Sequence, residues 1–159
     1  KKKKNEIHII DEIKMDGSNT YEMADELKHR YPNNRMWVYP DASGQARKTS
    51  SNTSDHNILR QAGFTIKAKG VNPPVKDRIA AVNASLLSAT GDVRLTVDPK
   101  CKHLINCISK QTYKEGTQVP DKSSDLDHFN DALGYLVHWI NPIRRPVQEN
   151  RGPETFGHF

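Results

Sequence analysis

The feature that most restricts the fold of this chain is an alternation of short β-branched segments with segments of helical periodicity. Strands are predicted at 5–13, 35–39, 64–68 and 93–97, and helices at 18–31, 54–62, 76–89, from residue 99 onward, and at 126–140. A helix after each strand returns the chain so that the next strand can start in the same direction. This order therefore predicts an α/β domain with parallel strand pairs and helices on the faces of the sheet.

Length and composition favour one intracellular domain. The 159 residues lie within the usual size of a single domain, about 100 to 200 residues. No run approaches the roughly 20 apolar residues of a membrane helix, and the chain opens on lysines rather than on a signal sequence. Cys101 and Cys107 lack partners at zinc spacing, so we expect both to be reduced. We expect a domain at 1–140 and an extended, basic, proline-rich tail at 141–159.

Charge is distributed unevenly along the chain. The formal net charge is +5, but residues 41–114 hold 12 basic and 5 acidic groups, whereas residues 115–140 hold 1 and 5. A basic body beside a compact acidic segment suits a protein that binds a phosphate backbone with lysines and metal with carboxylates. An ordinary solvated surface explains the same pattern. No glycine-rich dinucleotide motif or phosphate loop occurs, so nucleotide binding of those kinds is not expected.

Asp41 is the first candidate site residue, because it comes directly after the predicted strand at 35–39 and Pro40. Sites in open α/β sheets form at the carboxyl ends of strands, which would make Asp41 a ligand. An aspartate at this position can equally start a turn or cap the loop. Asp11 and Glu12 lie near the end of the first predicted strand, where surface exposure on an edge strand is the more ordinary interpretation.

A second acidic group opens the last predicted helix. Asp127, His128 and Asp131 occupy positions i, i+1 and i+4, so the two carboxylates lie one turn apart, opposite the apolar stripe of the helix. Such a pair is useful where a divalent cation neutralises both charges, and hard oxygen ligands suit magnesium or manganese. An acidic first turn on a solvated helix, favoured by the helix dipole, explains the pattern equally well.

Three stretches carry a resemblance to a known family. They are 39–44, a strand that ends in an aspartate before small residues; 72–79, which leads into a helix; and 127–135, with the pattern Asp-His-x-x-Asp-Ala-Leu-x-Tyr. In this order and spacing they resemble the C-terminal nuclease domain of bacteriophage terminase large subunits, the genome-packaging motor proteins. The similarity spans about residues 5 to 140.

The resemblance implies a ribonuclease H-like mixed sheet flanked by helices, and an endonuclease that cuts concatemeric viral duplex DNA with two Mg²⁺ or Mn²⁺ ions. Asp41 would be a metal ligand. Asp127, His128 or Asp131 would add another, with Asp131 favoured as ligand and His128 supporting it. Implied partners are double-stranded DNA, the portal protein, the small terminase subunit and an upstream ATPase motor domain, in the host cytoplasm. The best candidates for phosphate contacts in the basic middle are Arg47, Lys48, Lys67, Lys69, Lys76 and Arg78.

One departure from the family pattern leaves alternatives open. The family's first metal-binding aspartate lies on an earlier strand, and a strand like 7–13 normally comes third. We therefore expect the first two strands to precede Lys1; otherwise Asp11 would have to replace the missing ligand. Two other functions stay open: a non-catalytic module that docks on DNA, the portal or the small subunit, and a nuclease of the resolvase or transposase type.

Overall fold

The order of elements is the predicted one, with shorter strands. The computed structural model describes residues 5–46, 53–117, 119–121 and 126–143. Its strands are β1 (Ile7–Ile9), β2 (Trp37–Val38), β3 (Thr65–Ile66) and β4 (Leu95–Val97), and its helices are α1 (Thr20–Arg30), α2 (Asp55–Gln61), α3 (Val75–Leu86), α4 (Lys102–Lys110) and α5 (Asp127–Ile140). A single 3-10 turn, Ala42–Gln45, follows β2. No helix in these ranges is long and apolar enough to cross a bilayer.

The strands form two parallel pairs within the described residues. β1 pairs with β4 in the register Ile7 to Leu95, and β2 pairs with β3 in the register Trp37 to Thr65. Parallel pairing was predicted and is confirmed. A groove of about 480 Å³ separates β1 from the segment that leads into β2, and side chains of α1 form part of its lining. The apolar residues at 35–39 predict a short buried strand, but this is wrong at Trp37 in β2, whose exposed fraction is 56%.

Each strand pair has its own apolar core. Around β1 and β4, helices α3, α4 and α5 bury the largest cluster of the described residues, which includes Ala81, Leu95, Leu104, Leu133 and Val137. Around β3, the helices α1 and α2 bury a smaller cluster, made of Ala24, Leu59 and Phe64. Helix α5 packs on both α3 and α4. It is therefore anchored firmly enough to present its polar side chains in fixed positions.

Helix α3 buries more than the apolar face that its periodicity predicts. The predicted residues Ile79, Val82 and Leu86 are only partly buried, with Val82 and Leu86 packed against the larger core, whereas the fully buried residues are Arg78, Ala81 and Ser85. Close packing against α5 accompanies the burial of Arg78, because a Cβ atom at Gly134 would lie only 3.2 Å from the Cβ of Arg78. The missing side chain at Gly134 lets α3 bring an arginine against α5. The helix also ends at Leu86, not at Ala89.

Several local features agree with the sequence, in which Ser18 or Asn19 can cap the first helix and Ser54 the second. Asn19 caps α1, in a capping box with Glu22, and Ser54 caps α2. Cys101 and Cys107 are buried and not joined by a disulfide. Most of the predicted tail at 141–159 lies outside the described residues, so its extended conformation stays a prediction.

Candidate active site

The carboxylate of Asp41 is fixed by the loop in which it lies. Asp41 caps the 3-10 turn, and its Oδ1 accepts the Ser43 N–H at 2.6 Å. The same oxygen accepts a hydrogen bond from Asn72 Nδ2 at 2.8 Å, while Asn72 Oδ1 accepts the Ala42 N–H at 2.8 Å. Asn72 precedes two prolines, the second of which is the N-cap of α3. The proline-stiffened loop thus holds the Asn72 amide against the Asp41 turn.

The backbone of Asp41 is fixed as well. His56 is 1% exposed, and its Nε2 donates to the Asp41 carbonyl oxygen at 2.9 Å. Gly44 makes room for this ring, because a Cβ atom there would lie 2.9 Å from His56 Cδ2. Asp41 therefore starts a turn, which is one of its two predicted roles. Its carboxylate is at the same time oriented towards the rest of the site.

Helix α5 contacts the other oxygen of Asp41. The hydroxyl of Tyr135 donates to Asp41 Oδ2 at 2.7 Å, across 94 positions of sequence. Burial by itself would raise the pKa of Asp41, but the hydrogen bonds from Asn72, Ser43 and Tyr135 outweigh it and hold that pKa well below its ordinary value. Burial and the bond to Asp41 raise the pKa of Tyr135 to about 12. Asp41 is therefore ionised and Tyr135 protonated at neutral pH.

Arg78 links Tyr135 to the second acidic group. Its side chain is 6% exposed, and Nη1 donates to Asp131 Oδ1 at 2.8 Å. Its guanidinium also lies over the Tyr135 ring, with Cζ 4.3 Å from the ring centroid, in cation–π contact. Four side chains thus form a continuous set, Asp41, Tyr135, Arg78 and Asp131, which we call the carboxylate bridge.

The three acidic-helix candidates have different surroundings. His128 is exposed, whereas Asp127 is only 7% exposed. Asp127 and Asp131 both line a cavity of about 230 Å³ enclosed by α3, α4, α5 and the segment from Gln111 to Pro120. The alternative of an acidic first turn on a solvated face does not hold for Asp127, which is buried.

A family comparison now decides what kind of domain this is. Residues 1–139, which include every member of the bridge, match the model of the terminase RNase H-like domain. The chain belongs to this family. No curated protein and no solved structure gives a match. The resemblance seen in the sequence is therefore confirmed at the level of a terminase domain related to RNase H-like nucleases.

Metal binding by this terminase domain can be tested against the residues present. Within the described ranges, no group of three or more His, Cys, Asp or Glu side chains is placed to hold a metal ion. Both oxygens of Asp41 accept hydrogen bonds, and Asp131 Oδ1 is paired with Arg78. The described residues by themselves do not fit a pair of divalent ions.

The predicted phosphate contacts divide into three groups. Lys67 and Lys69 line a small cleft beside Asp41, together with Asn72, Tyr135 and His138. Lys76 is exposed at the start of α3. Arg78 was predicted as a phosphate contact, but it is buried within the carboxylate bridge, packed against Gly134 and paired with Asp131. Arg47 and Lys48 lie outside the described residues.

Asp11 and Glu12 have structural partners in the terminase domain. Asp11 Oδ2 accepts the Tyr31 hydroxyl at 2.7 Å, and this bond is the main reason that the pKa of Asp11 is lowered. The Glu12 carboxylate accepts the backbone N–H groups of His103 and Leu104 at 3.0 and 2.8 Å, at the start of α4. Neither role requires a metal ion.

Sequence reasoning missed three residues of the site, Asn72, His56 and Tyr135. It also missed that Arg78 is buried within the site. Asn72 and Tyr135 lie in two of the stretches that carried the resemblance, so their positions were a usable signal. His56 had no such signal, because a histidine that follows a helix cap is ordinary. The role of Arg78 depends on Gly134, which lies far away in sequence.

Proposed function

We propose that this terminase domain is a metal-dependent endonuclease that cuts concatemeric viral duplex DNA during genome packaging. The observation that carries the proposal is the carboxylate bridge, which joins Asp41, after β2, to Asp131 on α5 through two intervening side chains. Folding has therefore connected the two acidic positions singled out from the sequence. In a family related to nucleases, such a connection favours a shared site over two unrelated caps.

The proposed ligands are Asp41 and Asp131, with Asp127 as a third candidate and His128 as a supporting residue. Their oxygen atoms suit Mg²⁺ or Mn²⁺ better than softer metals. Asp127 lines the same cavity as Asp131, which supports its inclusion. The described residues do not by themselves complete a site for these ions.

The groove between β1 and β2 supports a proposal for how the ligand set is completed. Each strand pair has an edge without a strand partner among the described residues, and the groove between them is lined by Ile9, Ile10 and Met36. An extended segment there could pair with an exposed strand edge. We propose that strands upstream of Lys1 occupy it and bring a carboxylate beside Asp41. A protein extended upstream should then bind Mn²⁺ more tightly than this chain.

The proposed DNA contacts are Lys67 and Lys69, because they line the cleft that also contains Tyr135 beside Asp41. Lys76, Arg47 and Lys48 are further candidates in the same basic part of the chain. Contacts from lysines to phosphates position a duplex without reading its sequence. This arrangement would hold any duplex beside the carboxylate bridge.

The test is nicking of supercoiled plasmid in Mn²⁺ by Asp41→Asn. We expect cleavage to fall by more than about 100-fold, the upper end of effects at groups that only support a metal ligand. Asp16→Asn is the matched control, because Asp16 is a surface aspartate with an 85% exposed side chain. Retained cleavage in Asp41→Asn, with an intact fold, would remove Asp41 from the mechanism.

A second candidate function is a non-catalytic module that docks on DNA, the portal protein or the small subunit. It is favoured by the cap that Asp41 provides and by the lack of a three-ligand group in the described residues. Calorimetric titration with Mn²⁺ separates the two proposals, because a docking module should show no binding that depends on Asp41 and Asp131. A preference for branched over linear DNA would instead favour a resolvase-type nuclease.

A further inference from the structure

The outer face of the β2–β3 pair carries exposed aromatic side chains. Side chains alternate in direction along a strand, so Trp37, and Tyr39 directly after β2, lie on the face opposite Val38, which packs on the smaller apolar core. Trp37 is 56% exposed, and Trp139 of α5 is 39% exposed. The Tyr39 and Trp139 rings are in contact, with their centroids 6.1 Å apart. Trp37, Tyr39 and Trp139, which include both tryptophans of the chain, therefore share one surface, which we call the aromatic face.

Lysines border the aromatic face. The Lys67 N–H donates to the Val38 carbonyl oxygen at 2.8 Å, which continues the parallel register and brings Lys67 beside Tyr39. Lys67 and Lys69 also line the cleft that contains Trp139. The aromatic face thus combines flat apolar rings with positive charge, and it leads from Trp37 along β2 towards Asp41.

This combination suits unpaired nucleotides. Every base has a flat π face that can stack on an aromatic ring, while lysines neutralise the neighbouring phosphates. Sheets that display aromatic rings bind two or three unstacked bases in this way. The bases of a duplex are already stacked on one another and do not offer their faces. A single exposed aromatic residue is ordinary, as at Tyr21 of α1, but three that share one surface beside a lysine provide a platform for stacking.

We propose that the aromatic face binds unpaired nucleotides of DNA, stacks their bases on Trp37 and Trp139, and directs the strand towards the Asp41 end of the carboxylate bridge. Tyr39 is half-buried and acts as a positioning residue, because its ring supports that of Trp139. The inference rests on the proposed DNA contacts of Lys67 and Lys69 and is independent of cleavage. It adds a substrate class, a frayed or opened segment of DNA, to the duplex already proposed.

The experiment is fluorescence anisotropy of the whole chain with labelled oligo(dT) and with a duplex of the same length, at several salt concentrations in EDTA. Trp37→Ala and Trp139→Ala should each weaken oligo(dT) binding at least about fivefold, the lower end of the loss for one stacking side chain, and duplex binding should fall less. The slope of log affinity against log salt should stay unchanged, because phosphate contacts determine it.

Two kinds of variant serve as controls. Trp37→Tyr and Trp139→Tyr keep a ring and should bind oligo(dT) with nearly the parent affinity. Tyr21→Ala is the matched control, because Tyr21 is 55% exposed on α1, which packs on the opposite side of the strand pair, and this variant should bind like the parent.

The outcomes separate stacking from the other interpretations. Oligo(dT) binding that neither tryptophan variant weakens would overturn the proposal, and so would equal losses for oligo(dT) and duplex. If Lys67→Gln still weakened binding, the proposed lysine contacts would stand. Self-association of the parent that Trp37→Ala abolishes, measured by sedimentation, would assign the aromatic face to a second copy of the chain instead.

A second measurement needs no variant. Oligo(dT) should quench the tryptophan fluorescence of the parent, because the stacked bases lie against the indole rings. Fluorescence that stays constant while oligo(dT) binds would contradict the proposal even if the alanine variants fail to fold. Because EDTA removes divalent ions from the titration, neither result depends on whether the chain cuts DNA, which the Asp41→Asn nicking assay tests separately.

Discussion

Asp41 and Asp131 lie at opposite ends of the same bridge but are held by different chemistry. Neutral donors, namely a backbone N–H, an amide and a phenol, hold Asp41. A buried guanidinium holds Asp131. Asp41 is thus held in a fixed orientation by neutral hydrogen-bond donors, whereas Asp131 is paired with a positive charge. A carboxylate of the first kind is ready to accept a cation, and one of the second kind must first give one up.

This difference also changes what each carboxylate contributes to the fold. Hydrogen bonds from neutral donors to a charged acceptor stabilise by about 1.5 to 3 kcal/mol each, and they fix geometry. A buried ion pair gives little net stability, yet breaking it leaves a charge without compensation. The effect of a mutation on the free energy of unfolding should therefore depend on Arg78 more strongly at Asp131 than at Asp41.

The largest effect is expected from a double-mutant cycle between Asp131 and Arg78. Asp131→Asn leaves the guanidinium buried without its counter-charge and should lower the free energy of unfolding by about 2 kcal/mol, below the usual 3 to 5 because the Asp131 side chain is 36% exposed. Much of that loss should disappear when Arg78→Gln is added. The same cycle between Asp41 and Arg78 should show less than half the coupling, measured by urea unfolding. Equal coupling would abolish the distinction between the two ends.

The next effect concerns the Asp41 end of the bridge, where we propose that DNA binds. Replacing Lys67 and Lys69 by glutamine should reduce the slope of log affinity for duplex DNA against log salt by about 2, because each lost phosphate contact contributes about 0.9. The matched control replaces Lys102 and Lys110, two exposed lysines of α4, the helix that packs on α5. Fluorescence anisotropy at several salt concentrations measures both. A larger change in this slope for the α4 pair would indicate that the DNA binds nearer the Asp131 end.

A smaller effect is expected from Tyr135→Phe, which removes the hydroxyl bond to Asp41 but keeps the ring under Arg78. The lost hydrogen bond should cost about 1 kcal/mol of unfolding free energy. It should also raise the pKa of Asp41, because a donor that favours the ionised form is gone. Tyr113→Phe is the control, since Tyr113 is 50% exposed. If the Arg78–Asp131 coupling energy disappeared in the Tyr135→Phe background, the two ends would form one unit.

The sequence could predict the Asp41 end better than the Asp131 end. A strand, a proline, an aspartate and small residues are local signals, and both the cap and the outward carboxylate follow from them. Asp127 and Arg78 were placed wrongly because their burial depends on contacts between distant segments. The periodicity of α3 favoured an apolar inner face, and only the absence of a side chain at Gly134 allows an arginine there.

The division of the strands into two pairs was also beyond sequence reasoning. Alternating elements predict parallel neighbours but not which strands become neighbours. β1 pairs with β4, some 88 positions later, rather than with β2. Asn72 illustrates the same limit at the site. The two prolines after it indicate a stiff loop, whereas its two hydrogen bonds to the Asp41 turn depend on how β2 and α3 are arranged.

The smallest effect is expected at His138, whose pKa is shifted by charged groups at both ends of the bridge. Burial lowers its pKa most, and Lys69, beside Asp41, and Arg78, beside Asp131, lower it further. Because the folded state binds this proton less readily than the unfolded state, its contribution to stability is complete above about pH 6.5 and declines as the pH falls below it. His138→Gln should reduce that decline in urea unfolding between neutral pH and about pH 5.5, the lower part of the range in which histidines titrate. By NMR titration, Lys69→Gln should raise the pKa of His138 more than Arg78→Gln does. The reverse order would mean that the charge at the Asp131 end has the larger effect on the pKa of His138.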